Sequence, residues 1–326
     1  MALVRVTGTV KIPTPVDLRK YPSMKREDCA ELRFAPIASS DWPQVEGELG
    51  QILPADEISQ LREAILQSHP DAPAEIWGAF RGATVIGALR VQIQPGRSAV
   101  IAAPRMAPGE TPEAGLQLLE GVLVALRERG VQVVQALVAD AHGVDAQLLM
   151  AVGLKHAAEL EYLVSLAASF PQSAPAEHLQ LHAYSQLQHT RFSRLVERTY
   201  VGSLDCPAAN ALRTIDDVLA GYRGTGDFDP TRWVIASAPG NDVGCLIIAD
   251  DPRHDQSELM YIGVVPEARG RGLGLALVRH AQWMTRGAAR GRLVLAVDAA
   301  NDPAIAMYTA AGFIAWDWQS VFLRAL

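Results

Sequence analysis

Two stretches of this chain repeat each other at an almost fixed distance. "EIWGAFRGATVIGALRV" (residues 75–91) and "TRWVIASAPGNDVGCLII" (231–248) each read as a β-hairpin, with Trp77 and Trp233 in the first strand and Gly87 and Gly244 in the second. The tryptophans are 156 residues apart (233 − 77) and the glycines 157 (244 − 87). Further on, "DAQLLMAVGL" (145–154) matches "AIAMYTAAGF" (304–313) at a distance of 159 (312 − 153). Chance similarity does not keep its spacing over such a distance, so the chain is expected to be one fold written twice. The Pro-, Ser- and Ala-rich residues about 171–180 read as a linker. The expected division is a basic N-terminal extension at 1–30, either an extra strand or a loose arm, a first unit at 31–170, the linker, and a second unit at 181–326.

Within each copy the order reads helix, hairpin, strand, helix, strand, helix, strand. That order implies an α/β chain of the α+β kind, each unit a mixed, mostly antiparallel sheet flanked by helices. In the second copy an apolar, β-branched strand (259–265) ends at Pro266, and Leu273, Leu277, Ala281 and Met284 recur at helical spacing after it. Strand 292–298, helix 303–311 and a final strand from 313 follow, with Gly312 where a left-handed helix cap belongs.

Composition narrows the function classes. With 326 residues, 49% hydrophobic and 20% charged, the chain reads as a two-domain globular protein. A formal charge of −7 argues against general nucleic-acid binding, which calls for a basic surface. Cys29, Cys206 and Cys245 are odd in number and form no metal-spaced pair, so reduced thiols and a cytoplasmic location are expected. No apolar run is long enough to span a membrane, and no signal-peptide core opens the chain. His178, His182 and His189 lack carboxylate support and read as a solvated face, so no metal is expected.

The chemistry concentrates in "YIGVVPEARGRGLGLALVRHA" (261–281), where Gly270, Gly272 and Gly274 separate a strand from a helix and are interleaved with Arg269 and Arg271. A strand, a glycine-rich turn and a helix N-terminus let several backbone N–H groups point at one anion, and the helix dipole adds to them. The expected ligand carries a pyrophosphate. The dinucleotide fingerprint G-x-G-x-x-G fails because Leu273 stands where its third glycine belongs, and a P-loop fails for want of Gly-Lys-Ser/Thr.

The same residues, Arg269-x-x-Gly272-x-Gly274, followed by Asn301, Ala304, Tyr308 and Gly312-Phe313, resemble the two signatures of the GNAT superfamily of acetyl-CoA-dependent N-acetyltransferases. The duplication is similar to that of the tandem mycothiol synthases within it. The resemblance implies acetyl-CoA as co-substrate and a primary amine, most simply of a small molecule, as acceptor; a protein N-terminus or lysine is the alternative acceptor. It implies that Ile262 and Val264 pair with the pantetheine arm, that Arg269, Gly270, Arg271, Gly272, Leu273 and Gly274 form the pyrophosphate loop, and that Asn301 holds the arm by its amide, with helix N-capping as the alternative. It implies Glu258 as general base and Tyr308 as general acid, against the plainer roles of a solvated strand-start carboxylate and a core tyrosine. Glu258 shares a face with Met260, Ile262 and Val264 if no bulge intervenes. Tyr200, Asp205 and Trp233 are candidate acceptor contacts, with Asp229 of similar standing; Asp205 also reads as a turn residue.

The first copy departs from the pattern. Its loop "PRMAPGETPEAG" has Pro108 and Pro112, Ala107 stands where Arg269 falls by counting, and Leu149 stands at the place of Tyr308. That half is expected to catalyse nothing. A chain of this kind that only binds acyl-CoA, as a regulatory module or pseudoenzyme, is the competing reading. A monomer or homodimer is expected.

Overall fold

The computed structural model describes residues 32–55, 58–59, 73–175, 179–209, 212–225 and 228–326. The extension 1–30, with Cys29, and residues His178 and Asn210 lie outside them. The chain divides into two compact units: Ala158–Gln319, and an N-terminal unit that ends at Ala157 and also takes in Ser320–Leu326.

The N-terminal unit contains β1 (Leu32–Pro36), α1 (Trp42–Ile52), β2 (Ala74–Arg81), β3 (Thr84–Gln94), β4 (Ser98–Ile101), β5 (Arg105–Met106), α2 (Pro112–Glu128), β6 (Val133–Val138) and α3 (Val144–Ala151). Its sheet runs β1-β2-β3-β4-β6, with Ser320–Ala325 of the chain's last strand antiparallel to β6. Strands β4 and β6 are parallel over only three pairs, from Ser98↔Val133 to Val100↔Gln135. Its core is aliphatic, with Leu118, Leu119, Val122 and Leu126 of α2 all at 0% exposure.

The C-terminal unit begins in β7 (Lys155–Leu166) and continues through β8 (Gln180–Ala183), α4 (His189–Tyr200), α5 (Ile215–Arg223), β9 (Trp233–Ala238), β10 (Asn241–Asp251), β11 (Gln256–Val264), α6 (Leu273–Gly287), β12 (Arg292–Asp298), α7 (Asp302–Ala310) and the start of β13 (Ile314–Ala325). Its strands run β7-β12-β11-β10-β9-β8, all neighbours antiparallel except β11 and β12. One core, with Phe192, Leu195 and Val196 of α4 and Leu219 and Tyr222 of α5, covers one sheet face. A second, with Val278 and Ala281 of α6 and Tyr308 of α7, covers the other. Local sequence sets the helix ends. Thr214 caps α5 by accepting from Asp217 N–H.

The end of α7 is a Schellman motif. Phe313 N–H donates to Tyr308 O at 3.0 Å, Gly312 N–H donates to Thr309 O at 2.9 Å, and Gly312 takes φ +86°. The hydrophobic contact of that motif is Phe313 on Tyr308, ring centroids 5.6 Å apart. The first copy ends α3 in the same way, Leu154 N–H donating to Leu149 O and Gly153 N–H to Met150 O. The backbone device is therefore kept in both copies while the tyrosine is present in one. Among the described residues no helix is long and apolar enough to cross a membrane.

Candidate active site

Strands β11 and β12 are paired over Gln256↔Arg292, Ser257↔Leu293 and Glu258↔Val294 and no further. Beyond that row β11 runs on to Val264 against β10, and β12 runs on to Asp298 against β7. The two parallel strands thus part at Glu258 and leave the facing edge of residues 259–264 without a strand partner among the described residues. That edge is where Ile262 and Val264 lie, both only partly buried. An extended ligand that inserts there would pair as an added strand does.

The turn beyond the open edge has the form of an anion cradle. Gly270 and Gly272 both take φ +74°, a left-handed conformation natural to glycine, and a Cβ at either would meet nothing within 4 Å. Helix α6 starts at Leu273 with no side-chain cap and no acidic residue in its first turn. Its first N–H groups have no intrahelical acceptor, and no acidic side chain in its first turn answers the positive end of its dipole. Gly274 does something different. A Cβ there would sit 2.6 Å from Met307 Sδ, so this glycine lets α6 pack against α7. The guanidinium of Arg269 is directed away from the cradle: it donates to the carbonyls of Val264 (3.0 Å), Gly202 (3.0 Å) and Thr199 (2.9 Å). Arg271 is exposed.

Glu258 is 6% exposed. The register of β10 and β11 shifts between Ile247 and Ile248, which pair with Tyr261 and Leu259, so Met260 is bulged. An unbulged strand would align Glu258 with Met260, Ile262 and Val264. The bulge alters this: Glu258, opposite Ala249, still shares with Met260 the face toward α4 and α5, and Tyr261, opposite Ile247, joins them there. On that face Tyr162 of β7 pairs with Ala296, two residues beyond the Glu258↔Val294 row. Burial holds the Tyr162 hydroxyl well above its ordinary pKa, with the nearby charges of Glu258 and Asp317 adding to the shift. Tyr162 donates to Gln319 Oε1 at 2.9 Å and packs edge-on against Trp316. Sequence reasoning missed Tyr162 because it lies in the strand that closes the first repeat.

Tyr308 is 5% exposed, and its ring packs against Phe313. Burial raises its pKa, and the charge of Asp205 adds to the effect, so the group keeps its proton at neutral pH. Asn301 caps α7, its side chain accepting from Ala304 N–H at 3.4 Å. Asp205 accepts from Asp298 N–H, which seats the loop after α4 at the end of β12. The ring of Tyr200 packs edge-on against Tyr261, and its hydroxyl is buried.

Trp233 is 2% exposed and stacks on Phe192 at 5.5 Å, inside an aromatic core with Tyr184 and Phe228, a place that favours a packing role. Asp229 caps the short turn before it by accepting from Thr231 N–H. His189 is engaged by Tyr184 and Asp216. Cys206 and Cys245 are buried free thiols; burial pushes Cys245 up to about 12 and also raises Cys206.

Residues 196–313, which contain the parted strands, the cradle and α7, match the Acetyltransferase (GNAT) family. The chain carries a GNAT domain. Its sequence is 33% identical over 100 residues to a mycothiol acetyltransferase of Pseudarthrobacter chlorophenolicus, a match covering 29% of this chain and 31% of that relative. The chain thus spans less than a third of the length of that curated relative. Among solved structures, a GCN5-related N-acetyltransferase from Sphaerobacter thermophilus superposes with a TM-score of 0.60 at 16% identity, covering 90% of this chain and 95% of the other. A tandem GNAT protein from the clavulanic acid biosynthesis pathway gives 0.52 at 18% identity, covering 90% and 98%. At these identities the superpositions establish the fold: a GNAT-like α/β architecture present in tandem.

In the N-terminal unit the corresponding cradle is altered. Helix α2 begins at Pro112, which lacks an N–H, Glu113 lies in its first turn, and Glu110 is ion-paired with Arg81. Carboxylates at a helix N-terminus satisfy the dipole that a phosphate would otherwise answer.

Proposed function

We propose that the protein is an acetyl-CoA-dependent N-acetyltransferase whose GNAT domain moves an acetyl group to a primary amine of a small molecule. The observation that carries this reading is the parting of β11 from β12 at Glu258, which sets an open strand edge between a buried carboxylate and an anion cradle. The edge at Ile262 and Val264 suits the amide-bearing pantetheine arm. The backbone of residues 270–274, with Leu273 opening α6 and Arg271 alongside, suits the pyrophosphate. The side-chain amide nitrogen of Asn301 remains available to the arm while its oxygen caps α7.

The acceptor enters as an ammonium. An alkyl amine with a pKa of about 10 is only about a thousandth neutral at pH 7, a deficit of roughly 4 kcal/mol. Glu258 takes the ammonium proton, directly or through water; the neutral nitrogen attacks the thioester carbonyl, the C–N bond forms, and the C–S bond breaks. Tyr308, kept protonated by its burial, supplies a proton to the departing sulfur and regains one as the new amide nitrogen sheds its own. Asp205, close enough to act on Tyr308, holds the incoming cation on the α4 side. The name of the mycothiol acetyltransferase relative favours a small-molecule acceptor over a protein one.

Thiol release from acetyl-CoA, followed across small amines, peptides with free N-termini and lysine peptides, tests the reading. Turnover with small amines is expected. Tight acetyl-CoA binding without turnover on any amine would favour the regulatory-module reading instead.

A further inference from the structure

We infer that Arg269 is a positioning residue that ties cofactor binding to the order of the acceptor loop, residues 199–206, and that its guanidinium does not serve the phosphates. The inference rests on the acetyl-CoA reading above and extends it.

Helix α4 ends at Tyr200, and its last carbonyls lack intrahelical donors. Their partners can be followed one by one. Arg198 O accepts from Val201 N–H and Tyr200 O from Ser203 N–H, both within the turn. Thr199 O and Gly202 O accept from Arg269, a residue 70 positions further along the chain in the first case. A cation is thereby set at the negative end of the α4 dipole. The third bond, to Val264 O, anchors the same guanidinium to the end of β11. Three of the five N–H donors of a rigid planar fork are thus committed to backbone oxygens on two elements.

From this clamp the acceptor loop continues through a chain of hydrogen bonds. Asp205 N–H donates to Ser203 Oγ, Asp298 N–H to Asp205 Oδ1, and Cys206 N–H to Asp298 Oδ2. Asn301 N–H donates to Asp298 O at 2.8 Å, which brings the chain to the N-cap of α7. The loop carrying Tyr200 and Asp205 is therefore suspended between Arg269 at one end and Asp298 at the other. The Asp298 anchor is buried, whereas Arg269 lies in an exposed turn beside two left-handed glycines. A pyrophosphate seated on residues 270–274 would fix that turn, and with it the guanidinium and the carbonyls of Thr199 and Gly202. Cofactor binding then orders the acceptor wall.

The test is amide hydrogen exchange with coenzyme A as ligand, alongside calorimetric affinity. In the unsubstituted protein, coenzyme A is expected to slow exchange at least about fivefold both at residues 270–276 and at residues 199–206, the low end of ordinary coupling between sites. Arg269→Gln should keep coenzyme A affinity within about threefold and keep protection at 270–276, yet retain less than about twofold protection at 199–206. Arg269→Lys, which keeps the charge but not the fork, should lose part of the loop protection and serves if the glutamine variant fails to fold. An affinity loss of about tenfold or more in a folded variant would mean that the guanidinium meets the phosphates, and full protection of 199–206 in it would mean that the loop orders by itself. Either result overturns the inference. Failure of the unsubstituted protein to bind coenzyme A would instead remove the reading beneath it.

Discussion

Asp205 and Asp298 hold each other's loops: Asp205 Oδ1 accepts from Asp298 N–H at 3.2 Å, and Asp298 Oδ2 accepts from the N–H of Cys206, next to Asp205, at 3.1 Å. Asp298 Oδ1 also accepts from Ala300 N–H at 2.9 Å, so one buried carboxylate serves the loop after α4 and the entry to α7 together. Asp298→Ala strands those backbone donors. With hydrogen bonds to a charged group contributing about 1.5–3 kcal/mol, the expected loss is about 2 kcal/mol or more in denaturant unfolding. Asp298→Asn, which keeps one acceptor oxygen, should lose less. Equal stability of the alanine variant would show that the two loops stand without this carboxylate.

Tyr308 is placed by the Schellman motif and by Phe313, so Tyr308→Phe should leave the helix end intact. The expected result is kcat lower by about tenfold or more with acetyl-CoA affinity unchanged, a general-acid effect. Because the folded pKa lies above the ordinary 10.0, the proton-donating form is fully present below that pH. No alkaline limb from Tyr308 should therefore cut kcat between pH 7 and about 10, and stopped-flow thiol release can check this. Full kcat in the phenylalanine variant, with chemistry rate-limiting, would move the acid role to water.

Glu258→Gln keeps size and hydrogen bonding but cannot take a proton. Near neutral pH kcat/KM should fall about 10²-fold or more, with partial recovery at high pH where the amine is neutral unaided. Weakly basic amines should suffer less. If weakly and strongly basic amines lost equally at every pH, the role of base would pass first to Asp205.

Gly272 combines a left-handed φ with open space at the Cβ position. Gly272→Asp sets a carboxylate at the mouth of the cradle and should weaken acetyl-CoA binding by well over about tenfold, as one strong contact is replaced by repulsion. Calorimetry on the folded variant decides. Unchanged affinity would place the pyrophosphate elsewhere.

His280 on α6 is 8% exposed, its Nδ1 is buried without a partner among the described residues, and burial lowers its pKa. The unfolded chain then binds the proton more readily than the folded one. Stability from this group is present above the unfolded value of 6.5 and is lost as pH falls below it toward the depressed folded value. Urea unfolding at pH 5 and pH 7.5 should show that decline, and His280→Leu should reduce it. An unaltered pH dependence in the variant would assign the decline to other groups.

Local signals in the chain carried the repeat, the glycine turn and the helix ends, because each depends on nearby residues. The sequence Tyr308-Thr-Ala-Ala-Gly312-Phe313 contains its own left-handed cap and its own hydrophobic clasp, so the place of Tyr308 on α7 could be read directly. Gly270 and Gly272 announced a turn for the same reason. What lay beyond reach depended on partners far along the chain. The Met260 bulge exists only as a mismatch with β10, and it brings Tyr261 onto the sheet face that Glu258 occupies. Tyr162 reaches that face because β7 pairs with β12, a register no local pattern encodes. The bulk of Trp233 said nothing about which side of it would be filled, and Phe192 and Tyr184 fill it. For Arg269 the sequence supplied a cation beside a phosphate-like turn, but only the packing of α4 against β11 brought the helix-end carbonyl of Thr199 and the loop carbonyl of Gly202 within reach of its guanidinium.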